Sequence, residues 1–232
     1  GGALGFTLQT DITTPYFLDL CNAEQSARWL PGIAAGDLIT AIAMTEPGTG
    51  SDLAAIATTA IRKGDDHYLI NGSKTFITNG INSDLVIVVC RTTPEGGRRG
   101  LSLLIVERGM PGFERGRNLS KIGQHSADTA ELFFDDVQVP VRNLLGVEGR
   151  AFDYLAANLA QERMSMAVMG LAVSAVALRS TVDYVKQRRA FGRRIADFQN
   201  TKFVLAELAT SIEVTRPFID LSVTQLNEGC LS

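Results

Sequence analysis

The spacing of apolar residues changes twice along the chain. Through residues 1–35, Tyr16, Phe17, Leu18, Leu20, Ala27, Trp29 and Leu30 fall in helix-like groupings, with a break near Thr13-Thr14-Pro15 and an end at Pro31-Gly32. From about Leu38 to Val139, short runs rich in β-branched residues take over: Leu38–Met44, Ile56–Arg62, Tyr68–Ile70, Lys74–Thr78, Leu85–Cys90, Leu101–Val106 and Glu131–Val139. Turn signals such as Lys63-Gly64-Asp65-Asp66 separate them, and Asn71-Gly72 predicts a two-residue hairpin. Strands at this spacing, with no helices between, predict an antiparallel barrel or sandwich. After Pro140 the period turns helical. Leu155, Leu159, Met166, Met169, Val173 and Val176 recur at three and four, and no proline lies between Gly149 and Lys186. The stretch Gln187–Arg194 interrupts this long helix, and a second begins near Asp197 and runs towards Leu226.

The fold class expected is therefore α+β. Residues 1–36 read as the tail of an N-terminal helical domain, 37–147 as an antiparallel β-barrel middle domain, and 148–232 as the first part of a C-terminal helix bundle. Both ends look cut from something longer, since neither carries a capping signal or a finished domain.

Composition narrows the function classes. The chain has 232 residues, of which 45% are hydrophobic and 20% charged, so it is globular. A net charge of −3 gives no reason to expect nucleic acid or an anionic membrane. Cys21, Cys90 and Cys230 form no CxxC pair, which argues against a disulfide framework or a zinc site and suits a reducing compartment. His67 and His125 are too few and too far apart to suggest a metal cluster. No apolar run approaches the roughly 20 residues needed to cross a bilayer, so no membrane insertion is expected. No GxGxxG opens a helix after a strand and no Walker loop is present, which argues against a Rossmann or P-loop nucleotide site.

Four stretches carry candidate chemistry. Met44-Thr45-Glu46-Pro47-Gly48-Thr49-Gly50-Ser51-Asp52 ends a buried strand in hydroxyls and two glycines that can turn freely, which suits a phosphate-bearing cofactor or, more plainly, a solvent loop. Lys74-Thr75-Phe76-Ile77-Thr78-Asn79-Gly80 ends a strand in an aromatic and a hydroxyl, and equally reads as an ordinary hairpin strand. Gln187–Arg194 holds four arginines around Phe191-Gly192; arginine suits bidentate phosphate recognition, while a solvated turn is the alternative. Glu162 lies within about 60° of Leu155, Leu159, Met166, Met169 and Val173 on the helix surface. A carboxylate aimed into an apolar stripe is either a general base or half of a buried ion pair with a residue such as Arg163.

Together these stretches resemble the acyl-CoA dehydrogenase family. Ala43–Asp52 is similar to its first signature, Asn71–Gly80 to its second, and Arg188-Arg189-Ala190-Phe191-Gly192 with Phe198-Gln199 to its third. The resemblance runs in order over essentially the whole chain. It implies FAD held among a helical, a β and a second helical domain. Thr45 and Ser51 would bond the flavin or its phosphates, Ile42 and Met44 would line it, Phe76 would pack on the isoalloxazine, and Thr78 would bond near its reactive nitrogen. Arg188, Phe191 and Gln199 would reach the FAD of a neighbouring subunit, implying a homo-oligomer, usually a tetramer. Ser51 and Arg163 would also meet the acyl-CoA substrate. The reaction implied is α,β-dehydrogenation of an acyl-CoA to the trans-2-enoyl-CoA, with electron-transfer flavoprotein as acceptor. Most of the family carries its base late in the C-terminal domain, but Ala160-Gln161-Glu162-Arg163 resembles the isovaleryl- and long-chain-like branch, which implies Glu162 as the base. Further FAD and thioester contacts would then lie outside these residues. A non-catalytic flavin-binding relative, or a flavin oxidase or monooxygenase on the same scaffold, is the alternative. The expected compartment is a bacterial cytoplasm, with the mitochondrial matrix as the alternative.

Overall fold

A computed structural model describes residues 3–231. They fall into two compact units that divide between Asn158 and Leu159.

The first unit opens with helices α1 (Ala3–Thr7), α2 (Thr14–Leu20) and α3 (Ala23–Ala35), with a π-helical turn over Leu8–Thr13. An Asn22/Gln25 capping box starts α3, and the Gln25 amide also donates to the carbonyls of Arg142 and Leu144, tying the helix to the strands. The expected stop at Pro31-Gly32 is corrected. The helix runs on to Ala35 and ends at Gly36, whose left-handed backbone (φ 79°) is the actual C-cap.

Eight strands follow: β1 (Thr40–Ala43), β2 (Thr59–Lys63), β3 (His67–Thr78), β4 (Leu85–Arg91), β5 (Leu101–Glu107), β6 (Phe113–Asn118), β7 (Thr129–Pro140) and β8 (Leu144–Leu145). Their order is β6-β7-β3-β2-β4-β5-β8, with β1 running parallel beside β4 through Thr40↔Leu85 to Ala43↔Val88. The sheet is mixed and open, which corrects the expected closed antiparallel barrel. Its edges explain why: β8 is two residues long, and β6 carries Glu114, Arg115, Arg117 and Asn118, a polar edge that discourages further pairing. That same polarity hid β6 from a search for alternating apolar residues.

β4 is buried on both faces. Leu85, Ile87 and Val89 join a core with Tyr16, Phe17, Trp29 and Ile33, while Val86, Val88 and Cys90 join another with Tyr68, Ile70, Val137 and Val139. This is why β4 and β5 read as unbroken apolar runs.

The Asn71-Gly72 hairpin is also corrected. β3 passes straight through both residues, pairing with β2 up to Asn71 and with β7 along its length, and the sequence signal marks a bulge between Ile70 and Gly72. Asn71 exchanges bonds with the Asp136 main chain and carboxylate, and Gly72 (φ 148°) passes so close to Thr58 that a Cβ would lie 2.8 Å from the Thr58 Cα. The turn that reverses the chain is Gly64-Asp65-Asp66, between Lys63 and His67.

The second unit holds most of α4 (Ala151–Gln187), a small hairpin of β9 (Arg189–Ala190) and β10 (Arg193–Arg194), and α5 (Gln199–Asn227). By length and composition α4 is apolar enough to cross a membrane, with a window of mean hydropathy 1.5, contrary to the expectation that no run approaches that length. Valine, leucine, methionine and alanine supply that value, among small glycine and serine residues. α4 and α5 enclose a groove of about 640 Å³ lined by small and apolar side chains such as Ala167, Gly170, Leu171, Leu208 and Ile212.

Gly72→Ala is expected to destabilise the protein by about 2–4 kcal/mol in chemical denaturation, because the new methyl meets Thr58 main chain. Gly64→Ala, which meets nothing within 4 Å, is expected to cost only about 1 kcal/mol for its φ of 60°. Equal losses would contradict the close approach at Gly72.

Candidate functional site

β1 delivers the first candidate loop. Ile42 is buried in the core, and Met44 and Thr45 emerge half-buried where the strand ends. The turn closes on itself through Glu46 N–H to the Thr49 carbonyl (2.8 Å) and Thr49 N–H back to Glu46 (3.1 Å). Gly48 and Gly50 have no positive φ, so this turn does not use the backbone freedom expected of them, although the space around both is open. Ser51 is exposed further along.

Beneath the turn lies a buried ion pair between Lys74 of β3 and Glu46. Lys74 is 0% exposed; its Nζ donates to Glu46 Oε1 at 2.9 Å and to the Met44 carbonyl at 3.0 Å. The Glu46 carboxylate also accepts from the N–H groups of Ala57 (2.7 Å) and Thr58 (2.9 Å). Burial pushes the Glu46 carboxyl up, but the donors from Thr58 and Ala57 and the Lys74 ammonium outweigh it and hold the group below the usual carboxylate range. Burial also drags Lys74 below its ordinary value, against the pull of Glu46. Both lie in candidate stretches, but sequence reasoning gave neither a role. They stand 28 positions apart, and spacing along the chain carries no sign that they meet.

The two candidate segments are joined here. Thr75 N–H donates to the Thr45 carbonyl at 2.9 Å, which sets Phe76 beside the turn. Phe76 has φ 58°, a left-handed backbone rare for an aromatic, at the register slip between Lys74 and Ile77. The slip turns the ring out of the sheet, and Phe76 is 68% exposed. Thr78 follows half-buried, paired to Thr129, and Asn79 (φ 61°) donates its amide to the Thr40 carbonyl at 3.1 Å. A flat apolar face, flanked by threonine hydroxyls and held by a strained backbone, suits an aromatic ring system carrying polar edges.

Sequence reasoning missed a cavity in the first unit. About 510 Å³ in volume, it is lined by Arg98, Arg99, Glu148, Gly149, Arg150, Phe152 and Asp153. Arg98 lies 4.7 Å from the Phe152 ring centroid, Arg150 pairs with Asp153, and Glu148 accepts from Tyr68 Oη at 3.1 Å. Arg98 and Arg99 have no carboxylate partner among the described residues. Arg91 joins this arginine turn to the residues after Ser51, donating to the carbonyls of Gly97 (3.0 Å), Ala54 (2.7 Å) and Ile56 (3.2 Å). The sign in the sequence was the Arg98-Arg99 pair inside a glycine-rich turn, which reads as an ordinary loop until Arg150 is folded against it.

In the second unit, Glu162 is half-buried and Arg163 exposed. The stripe around Glu162 is only partly covered: Leu155 is buried, but Leu159 and Met166 are exposed and Val173 is 62% exposed. Two long helices with a groove between them leave faces that a larger bundle would cover. The interruption after α4 is a two-residue hairpin whose central residues, Phe191 (φ 50°) and Gly192 (φ 77°), form a primed turn. Phe191 is 93% exposed at its tip, with its ring edge-on to Phe198 at 6.4 Å. Arg193 stacks 4.0 Å above Phe198, and Arg194 pairs with Asp197 at 2.9 Å. Arg188 and Gln199 are both exposed, flanking this knot. Burial pushes the thiols of Cys21 and Cys90 up to about 11 and about 12, which disfavours thiolate chemistry at either.

Comparison with known proteins bears on these features. Residues 41–137 match the acyl-CoA dehydrogenase middle domain and residues 149–232 the acyl-CoA dehydrogenase C-terminal domain. The chain is 49% identical over 226 residues to the mitochondrial long-chain specific acyl-CoA dehydrogenase of Mus musculus, covering 97% of this chain and 52% of that protein. It is 42% identical over 223 residues to an acyl-CoA dehydrogenase of Bacillus subtilis, covering 96% of this chain and 59% of that protein. The crystal structure of an acyl-CoA dehydrogenase from Geobacillus kaustophilus superposes with a TM-score of 0.96 at 51% identity, covering 99% of this chain and 60% of that one. The chain thus spans little more than half the length of the relatives it matches. With two consecutive domains matched in the family's order, and a solved member superposing over nearly its whole length, the chain belongs to the acyl-CoA dehydrogenase family.

Proposed function

We propose that the chain serves FAD-dependent α,β-dehydrogenation of an acyl-CoA thioester. The observation that carries this reading is the exposed Phe76 ring, held on a left-handed backbone beside Thr45 and Thr78. The residues present fit the cofactor: Phe76 offers a face for the isoalloxazine, Thr45, Ser51 and Thr78 offer hydroxyls to its polar edge and phosphates, and Ile42 and Met44 back it. When bound, FAD supplies a hydride acceptor for the substrate β-carbon. Arg188, Phe191 and Gln199 would meet the cofactor of a second copy, which makes the working form a homo-oligomer, a tetramer by family likeness.

Glu162 is assigned the role of base. Its carboxylate takes the α-proton of the thioester, and the neighbouring Arg163 meets an anionic part of the ligand. The Arg98–Arg99–Arg150 cavity suits the phosphate-bearing end of coenzyme A, because guanidinium groups pair with phosphate oxygens in bidentate fashion and Phe152 adds an aromatic floor. Ser51 would contact the pantetheine portion. The proposed acceptor of the reducing equivalents is an electron-transfer flavoprotein.

FAD-loaded protein is expected to lose its flavin absorbance on addition of a matching acyl-CoA, and Glu162→Gln to slow that loss by about 10²–10⁴-fold while leaving FAD bound. A Glu162→Gln variant that bleaches at the parent rate rules out Glu162 as the base. Arg98→Ala/Arg99→Ala is expected to raise KM for the acyl-CoA about tenfold or more with kcat little changed, the pattern of lost ground-state binding. Unchanged KM would remove the arginine cavity from the substrate site.

A further inference from the structure

Lys74 is an expensive residue to bury. An ammonium with no solvent exposure costs several kcal/mol of desolvation, and a pair such as Lys74–Glu46 returns little net stability compared with apolar residues of the same volume. Stability alone therefore does not account for a charge at this position. Geometry does. Two consecutive carbonyls, those of Met44 and Thr45, are both held by β3, but by different means. The Thr75 main chain reaches the Thr45 carbonyl, and the Lys74 side chain reaches the Met44 carbonyl from below. Glu46, the next residue, is fixed at its other oxygen by Ala57 and closes the turn through Thr49. Met44, Thr45 and Glu46 are thus each tied to the residues that lead into Phe76.

We propose that Lys74, neutralised by Glu46, is a positioning residue for the flavin-binding turn: its ammonium anchors the Met44 carbonyl and so fixes Thr45 against Thr75 and the left-handed Phe76. Lys74 acts through the main chain and is not a catalytic residue. The inference rests on FAD occupying the Thr45–Phe76 face only for its functional consequence; the anchoring itself is a property of the turn. A neutral side chain of similar length fills the same volume but offers no donor to Met44, and it leaves the turn free to open while the sheet stays folded.

The test separates anchoring from stability. Lys74→Met/Glu46→Gln removes both buried charges together, so its melting temperature is expected to stay near that of the parent, whereas Lys74→Met alone strands a buried carboxylate and lowers it. Amide hydrogen exchange in the double variant is expected to speed up by about tenfold or more for Glu46 and Thr75, with β4 protection unchanged. FAD binding is expected to weaken by about tenfold, with a shifted spectrum of the bound flavin. Unchanged exchange at Glu46 and Thr75 in the double variant overturns the proposal, whatever FAD does. Should the double variant not fold, the parent decides. Glu46 and Thr75 N–H groups exchanging as slowly as those of β4 support an anchored turn, and exchange at loop rates overturns it. A parent that takes up no FAD counts against the functional reading and leaves the exchange result standing.

Discussion

One buried ion pair underlies the arrangement of the first unit. Lys74 and Glu46 lie out of water, and Glu46 adds Ala57 and Thr58 as donors, so the Met44–Glu46 turn and the Ala57–Thr58 segment are fastened to one carboxylate or one ammonium. Breaking one partner of such a pair leaves an uncompensated charge worth about 3–5 kcal/mol. The pair joins the end of β1, the approach to β2 and the middle of β3, with 28 positions between its two charged residues. Around it the chain accepts two unusual backbones, Phe76 and Asn79, both left-handed. Such conformations persist only where the surroundings over-determine them, and here one of them turns Phe76 outward.

In the proposed function the two units carry different parts of the chemistry. The sheet unit supplies an aromatic face, hydroxyls and an arginine cavity, all on turns held by buried polar contacts. The helical unit supplies Glu162, Arg163 and the aromatic hairpin at Phe191, on helices whose apolar faces are only partly covered. Rigid positioning on one side and open helix faces on the other fit a chain that spans little more than half of its relatives' length.

Much of this was legible in the sequence, for reasons that can be named. Strong periodicity made α4 and α5 visible, and two-sided burial made β4 and β5 read as continuous apolar runs. The three signature stretches stood out because glycine, hydroxyl and aromatic residues cluster there. The misreadings came from tertiary contacts overriding local signals. Asn71-Gly72 carries the chemistry of a hairpin turn, yet Thr58 and Asp136 make it a bulge in one long strand. Pro31 looked like a terminator, but Gly36 holds the real cap. β6 was invisible because an edge strand can be polar, and the Lys74–Glu46 pair because nothing in linear spacing announces a contact across 28 residues.

The proposed function stands on a flavin held at the Thr45–Phe76 face. Calorimetric titration of the parent and Phe76→Ala with FAD tests it most directly. Saturable binding of one FAD per chain, weakened about tenfold or more by loss of the ring, is the predicted result. A parent that binds no FAD, or a Phe76→Ala variant that binds it as tightly as the parent, would contradict the account.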